Sequence, residues 1–264
     1  VRKQVPDFEI QIYPNDTNRD SVEFVMAFNP PRGVFALYPN LKVVASMGAG
    51  VRIILTDPSL PKNVIVTKIV QPMQQRDMAD FVLALTLSYL RNLPIFFYQQ
   101  QEKIWKHHPF KRPEETTVGI MGIGTIGRAI GELLVKNSFK VTGWSRSPKE
   151  IDNIRTYYGN DQKDEFLHTA EVLVCILPLT DQTEGILNTE TFNQLPNGAY
   201  LINVARGGHL VERDLLNALE TRQLSGAALD VFREEPLPAN HPFWTNRKIF
   251  ISPHNAGNTH PDVA

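Results

Sequence analysis

Short apolar runs separated by turn residues fill the first part of the chain. The runs are rich in valine, isoleucine and aromatic residues, and they predict strands over Phe8–Tyr13, Ser21–Phe28, Leu41–Ser46 and Asn63–Val66. The pattern changes near residue 77, where apolar residues recur at helical spacing and predict a helix over Asp77–Asn92. We therefore predict a first domain over residues 1–76.

From Thr117 onward, apolar runs alternate with amphipathic stretches. The predicted helices include Thr125–Asn137 and Glu212–Thr221. The predicted strands are Thr117–Met121, Lys140–Trp144, Val172–Ile176, Ala199–Val204, Ala227–Val231 and Ile249–Ile251. Such alternation indicates parallel strands joined by crossover helices, and we predict a second, α/β domain over residues 77–258.

The segment Pro94–Pro113 carries six large apolar side chains among polar residues: Ile95, Phe96, Phe97, Tyr98, Trp105 and Phe110. The pattern fits an arm or a second helix whose aromatic residues need a partner surface. That surface is either the rest of the same chain or a second subunit.

Composition narrows the classes of function. The 264 residues carry 27 Lys and Arg against 28 Asp and Glu, and this balance argues against nucleic acid or an anionic membrane as the main partner. The single cysteine excludes an internal disulfide framework and favours a reducing, cytoplasmic location. His107-His108 has no neighbouring ligand residues, and we predict no metal site.

A glycine motif follows the strand Thr117–Met121 and opens the next helix. It reads Gly122-Ile-Gly124-Thr125-Ile126-Gly127, the G-x-G-x-x-G pattern of dinucleotide-binding turns. The first glycine permits the tight turn, the second lets the backbone approach a pyrophosphate, and the third lets helix and strand pack closely. Free N–H groups at the helix start then face the phosphates.

The next strand ends at Ser145-Arg146-Ser147, where NAD sites usually carry an acidic residue that binds the ribose 2′-hydroxyl. A guanidinium and two hydroxyls suit a 2′-phosphate instead. We therefore predict that NADPH is preferred and that NAD remains possible.

Three later strands each lead to a residue with useful chemistry, namely Arg206, Glu235 and His254. Ligands of an open parallel sheet bind beyond the carboxyl ends of its strands, so these side chains can converge over one nicotinamide. Hydride transfer to a ketone leaves charge on oxygen, and histidine can donate the proton that this oxygen needs. A carboxylate beside the imidazole orients the ring, and an arginine can hold a substrate carboxylate.

Five motifs in order resemble the D-isomer-specific 2-hydroxyacid dehydrogenases over about residues 41–257. They are Gly122–Gly127, Leu177-Pro-Leu-Thr180, Asn203-Val-Ala-Arg206-Gly, Ala228-Leu-Asp-Val-Phe232 with Glu235-Pro-Leu237, and Ser252-Pro-His254. The ending Trp144-Ser-Arg-Ser147 is similar to that of the NADPH-preferring glyoxylate/hydroxypyruvate reductase branch. Arg52 and Asn255 depart from the family, which typically has Asp and an apolar residue at these positions.

The resemblance implies a Rossmann-type, doubly wound parallel sheet plus a smaller, flavodoxin-like α/β substrate domain. The fold would be incomplete at both termini, with residues 259–264 starting a return to the substrate domain. The family is usually dimeric through the cofactor domain, which favours a homodimer.

The same resemblance implies roles for single residues. His254 would be the acid/base, Glu235 its partner and Arg206 the substrate anchor, with backbone N–H groups of Met47, Gly48, Ala49 and Gly50 binding the substrate carboxylate. Val204, Ala205 and Asp230 would lie along the nicotinamide end of the cofactor, and Leu177 and Pro178 along the adenine side.

The predicted function is NADPH-dependent reduction of a small 2-oxoacid to the D-2-hydroxyacid. Two alternatives stay open. One is a dinucleotide-sensing binding protein similar to the family's transcriptional co-repressors, and the other is a related dehydrogenase that acts on formate, phosphite or a phosphorylated hydroxyacid.

Overall fold

The structure is a computed structural model that describes residues 9–47, 50–68 and 72–257. The chain divides into two compact units, residues 1–71 and 72–264. The boundary predicted at 76/77 falls inside the first helix of the second unit, which begins at Pro72.

The first unit is built on a three-stranded parallel sheet. Its strands are β1 (Phe24–Ala27), β2 (Val43–Ser46) and β3 (Ile65–Lys68), in spatial order β1-β2-β3. The helix α1 (Arg52–Leu55) and two short 3-10 turns, Arg19–Ser21 and Val34–Leu37, complete the unit. Phe35, Val44 and Ile54 are buried at its centre.

One face of this small sheet stays open among the described residues. Phe24, Val43 and Ile65 form one row across the three strands in register, and Phe24 and Ile65 are 54% and 62% exposed. Met26 lies on the same face and is also exposed. Parallel sheets are normally covered on both faces, so this apolar surface is unusual.

The strand predicted over Phe8–Tyr13 is wrong for residues 9–13, and Phe8 lies outside the described residues. The chain turns here: the Gln11 carboxamide oxygen accepts the N–H of Thr17 at 2.8 Å, and Asn15 N–H donates to Ile12 O. Local side-chain bonds of this kind offer the backbone an alternative to a strand ladder.

The second unit begins with two helices, α2 (Pro72–Leu90) and α3 (Leu93–Gln101). No single helix of the described chain is long and apolar enough to cross a membrane. The bent pair Met73–Leu90 and Leu93–Gln101 together has the length and apolar composition of a membrane span. After α3, Gln99 donates to the carbonyls of Ile104 and Lys106 and holds the following loop against the helix.

The rest of the second unit alternates strands and helices around a seven-stranded sheet in which all neighbours are parallel. Its elements are β4 (Thr117–Met121), α4 (Thr125–Lys136), β5 (Lys140–Ser145), β6 (Arg155–Tyr158), α5 (Lys163–Thr169), β7 (Val172–Cys175), α6 (Thr189–Gln194), β8 (Ala199–Asn203), α7 (Glu212–Glu220), β9 (Leu224–Leu229) and β10 (Ile249–Ile251).

In the spatial order β10-β9-β8-β7-β4-β5-β6, the strands from β4 to β6 are added in one direction across the sheet and those from β7 to β10 in the other, so the strand order reverses between β4 and β7. Buried apolar residues form a core on each face of the sheet, with Ile130 and Leu134 of α4 on one side and Leu215 and Leu219 of α7 on the other. This is the predicted Rossmann-type, doubly wound arrangement, and its ligand position is the carboxyl edge at the reversal point.

Candidate functional site

The glycine turn after β4 has a backbone that only glycine suits. Gly122 has φ +113°, and a Cβ there would lie 2.9 Å from the carbonyl carbon and oxygen of Ile176. Its N–H donates to Trp144 O at 2.9 Å, which ties the turn to the end of β5. The turn is thus held at the reversal point of the sheet, between β7 and β5.

The start of α4 is open for a ligand. A Cβ at Gly124 would meet nothing within 4 Å, whereas one at Gly127 would lie 2.1 Å from Gly122 O. The helix therefore presses on the turn at Gly127 and leaves space at Gly124. No side chain among the described residues caps the helix, and Gly124 and Thr125 are exposed. The N–H groups of the first turn, including that of half-buried Ile126, fit the phosphates of a dinucleotide.

The end of β5 presents polar groups beside this turn. Ser145 Oγ donates to Ser147 O at 2.7 Å, and Arg146 and Ser147 are exposed. Within the described parts of the chain, the Arg146 side chain has no hydrogen bond or ion pair. A free guanidinium at this strand end fits a 2′-phosphate.

The strand β7 ends next to the glycine turn. Leu177 is buried and Pro178 is exposed just after it. Complete burial, partly offset by the N–H of Leu177, raises the pKa of the Cys175 thiol to about 12. Cys175 is therefore a neutral core residue and not a nucleophile.

Arg206 stands on a tight turn after β8. Val204 and Ala205 are buried, whereas Arg206 is exposed and its Nη1 donates to Ala205 O. The neighbouring Gly207 has no room for a side chain, because a Cβ there would lie 1.9 Å from the carbonyl carbon of Phe232. The turn with Arg206 therefore lies directly against the segment that leads to Glu235.

Glu235 and His254 meet. His254 Nδ1 lies 2.7 Å from Glu235 Oε2, while Glu235 Oε1 accepts the N–H of Phe232 at 2.9 Å. With Nδ1 donating to the carboxylate, Nε2 is the ring nitrogen left for proton exchange with a substrate. Both side chains are partly exposed, which leaves the pair accessible.

Asp230 supports the turn that carries His254. The sequence predicts it among the cofactor residues, but its carboxylate is only 1% exposed and is bonded internally. It accepts Ser252 Oγ at 2.6 Å and the N–H groups of Asn255 and Ala256 at 2.9 Å, and its carbonyl accepts the N–H of His254. These bonds hold His254 at φ +53°, a left-handed conformation that is costly for a histidine.

The predicted substrate loop belongs to the first unit. Met47 N–H donates to Ala27 O, and Ser46 Oγ donates to Gly50 O at 2.9 Å, so the two ends of the loop are anchored. Gly48 and Ala49 lie outside the described residues. The structure of the first unit therefore places only the flanks of this loop.

The strand order explains why the three catalytic candidates lie at the same edge of the sheet. The strands β8, β9 and β10 are neighbours, and the segments after them carry Arg206, Glu235 and His254 respectively. Sequence reasoning missed the buried Asn203, whose side chain bonds to the turn of Arg206. The sequence signal that could have indicated it is a single amide side chain at the end of the otherwise apolar strand Ala199–Asn203.

Comparison with known proteins agrees with this geometry. Residues 83–256 match the family described as D-isomer specific 2-hydroxyacid dehydrogenase, NAD binding domain. The chain belongs to the D-isomer specific 2-hydroxyacid dehydrogenases. It is 38% identical over 270 residues to a glyoxylate/hydroxypyruvate reductase A of Photorhabdus laumondii, covering 100% of this chain and 86% of that relative.

Two solved members of the family have similar structures. A D-isomer specific 2-hydroxyacid dehydrogenase of Xanthobacter autotrophicus, in complex with NADPH and MES, has a TM-score of 0.86 and 37% identity, covering 92% of this chain and 77% of its own. An NADPH-dependent glyoxylate/hydroxypyruvate reductase of Sinorhizobium meliloti, in complex with NADP and sulfate, has a TM-score of 0.87 and 34% identity, covering 93% of this chain and 79% of its own.

Proposed function

We propose that this protein reduces a small 2-oxoacid of the glyoxylate or hydroxypyruvate type to the D-2-hydroxyacid, with NADPH as the hydride donor. The observation that carries the proposal is the His254–Glu235 pair, which lies beside the Arg206 turn at the carboxyl edge of a dinucleotide-type sheet. A bound nicotinamide supplies the hydride, and the side chains of the chain supply the rest.

His254 donates the proton to the carbonyl oxygen as the hydride arrives at carbon. Glu235 holds the ring through Nδ1, so Nε2 is the nitrogen that donates the proton. Arg206 binds the substrate carboxylate and polarises the carbonyl.

The cofactor preference rests on Arg146. Its exposed guanidinium, with Ser145 and Ser147, suits the 2′-phosphate of NADPH, while the turn Gly122–Gly127 and Thr125 and Ile126 of α4 suit the pyrophosphate. Leu177 and Pro178 would flank the adenine side, and Val204 and Ala205 the nicotinamide end.

A homodimer through the second unit belongs to the same proposal. Its support is an exposed aromatic surface on α3 and the loop after it, where Phe97 is 65% and Trp105 is 93% exposed. Gln99 anchors this loop on both sides of Trp105, so the indole is presented by a fixed backbone. The single, buried Cys175 is in keeping with a cytoplasmic location.

The test follows NADPH oxidation at 340 nm with glyoxylate, hydroxypyruvate and a bulkier 2-oxoacid. We expect turnover with the two small acids, and His254→Ala should abolish turnover while leaving NADPH binding by fluorescence unchanged. A folded protein that binds NADPH but reduces none of the acids would refute the proposal. It would favour the dinucleotide-sensing alternative, which the sequence leaves open.

A further inference from the structure

The last residue of β8, Asn203, is a fully buried amide that is bonded to the turn of Arg206. Its Oδ1 accepts the N–H of Ala205 at 3.2 Å, and its Nδ2 donates to Arg206 O at 3.2 Å. Burying an amide is costly unless its hydrogen bonds are made. The two bonds of Asn203 are made to the backbone on either side of the Arg206 Cα, one to the N–H of Ala205 and one to the carbonyl of Arg206.

His209 binds the same carbonyl from the other end of the turn. It is fully buried, its N–H donates to Arg206 O at 3.2 Å, and its Nδ1 lies 3.0 Å from that oxygen. Because a carbonyl oxygen only accepts, Nδ1 carries the hydrogen. Arg206 O therefore receives three N–H groups, two of them from buried side chains.

The backbone of the turn is also fixed against the segment that leads to Glu235. A Cβ on Gly207 would lie 1.9 Å from the carbonyl carbon of Phe232, whose N–H binds Glu235 Oε1. Moving the turn would therefore either break the bonds of Asn203 and His209 or push on the residues around Glu235. The Arg206 side chain itself is exposed and bonds to Ala205 O of the same turn, so the backbone of the turn sets where the side chain starts.

We propose that Asn203 and His209 form a buried bracket that positions Arg206 for the substrate. Both are positioning residues: they hold the Arg206 carbonyl, and their effect on the reaction passes through the Arg206 guanidinium. The inference rests on the function proposed above for Arg206.

The test compares Asn203→Ala with Gln223→Ala. Gln223 is a control because its side-chain amide also makes two backbone bonds, from Nε2 to Phe192 O at 2.8 Å and to Leu195 O at 3.0 Å, but it lies just before β9, at the amino edge of the sheet. We expect Asn203→Ala to lower kcat/KM for glyoxylate by roughly ten- to a hundredfold, as for a small displacement of a binding group. Gln223→Ala should stay within about twofold of wild type, and NADPH affinity should be unchanged in both.

A double-mutant cycle shows whether the effect passes through Arg206. With Arg206→Ala already present, Asn203→Ala should cost less than about twofold more. A cost equal to that in the wild-type background would overturn the inference, because Asn203 would then act independently of Arg206.

His209 gives a second route that does not depend on Asn203→Ala folding. His209→Asn places an amide N–H near the position of Nδ1, whereas His209→Leu keeps apolar bulk and removes the donor. We expect the Asn variant to retain a larger share of kcat/KM than the Leu variant. The reverse order would show that bulk at this position matters and that the bond to Arg206 does not.

Hydrogen exchange separates failure of the bracket from failure of the proposed function. Peptides that span residues 203–209 should exchange slowly in wild type and faster in Asn203→Ser and His209→Leu, whether or not any 2-oxoacid is reduced. Unchanged exchange would refute the bracket. Absent turnover by wild type, with the exchange difference present, would refute the function alone.

Discussion

Gly207→Ala should damage the candidate site more than any other alanine substitution at a glycine of the second unit. The added Cβ would lie 1.9 Å from Phe232 C, 2.1 Å from its oxygen and 2.3 Å from Arg233 N. Side-chain carbons keep about 3 Å or more from such atoms, so the two backbones must separate by roughly 1 Å. A displacement of this size at a substrate-binding group costs about a hundredfold in rate, and overpacking costs about 1–3 kcal/mol of stability.

The assay measures thermal unfolding and kcat/KM for glyoxylate side by side with Gly124→Ala. At Gly124 a Cβ meets nothing within 4 Å, so that variant should unfold at the wild-type temperature. Its methyl group would instead occupy space needed by the pyrophosphate, so NADPH affinity should fall. A Gly207→Ala protein with wild-type stability and wild-type kcat/KM would refute the claim that this contact sets the position of Arg206.

Three further variants test other features. Burial alone would raise the pKa of Asp57, but hydrogen bonds from the Ser59 hydroxyl and from the N–H groups of Gly33 and Ser59 lower it. The ionised carboxylate therefore stabilises the fold at neutral pH, and this stabilisation is lost as pH falls below about 4. In denaturant unfolding, Asp57→Asn should make the loss of stability on acidification smaller than in wild type. Arg146→Ala should weaken NADPH binding on the order of tenfold and leave NADH binding unchanged in fluorescence titrations, and an equal loss for both would contradict the assigned role. Trp105→Ala should shift the protein from dimer to monomer in sedimentation velocity. Its melting temperature should not change, because the indole is 93% exposed and is not part of the core. An unchanged dimer would place the interface elsewhere.

The buried strands were predictable because each reads as a continuous apolar run. The bounds of Thr117–Met121 match those predicted, and residues 118–121 are buried in a sheet that is covered by helices. The bounds of the edge strand Ile249–Ile251 also match, although Phe250 is exposed. The strand Arg155–Tyr158 was missed because it lies at the edge of the sheet and mixes polar with aromatic residues. The helix predicted from Asp77 begins at Pro72, since proline suits a first helical turn. Met73 is the only apolar residue among residues 73–76, so the helical apolar spacing does not show there.

The site was predictable as far as strand order determines it. Parallel strands bring their carboxyl ends to one edge, which is enough to expect Arg206, Glu235 and His254 near one another. The use of Asp230 was not predictable, because its partners depend on the backbone path of residues 252–256. The same holds for Asn203 and His209. Their hydrogen bonds to Arg206 O depend on how the backbone of residues 203–209 turns, and no hydrophobic periodicity in the sequence indicates that turn.

The exposed apolar side chains of Phe24 and Ile65 affect how the protein behaves in solution. Apolar area of this kind promotes open-ended clustering that grows with concentration and with sulfate or phosphate salts. A dimer that depends on Trp105 would instead saturate at two copies. A dilution series in low salt, repeated with a Phe24→Glu variant that places a charge on the small sheet, therefore distinguishes nonspecific aggregation from a specific dimer.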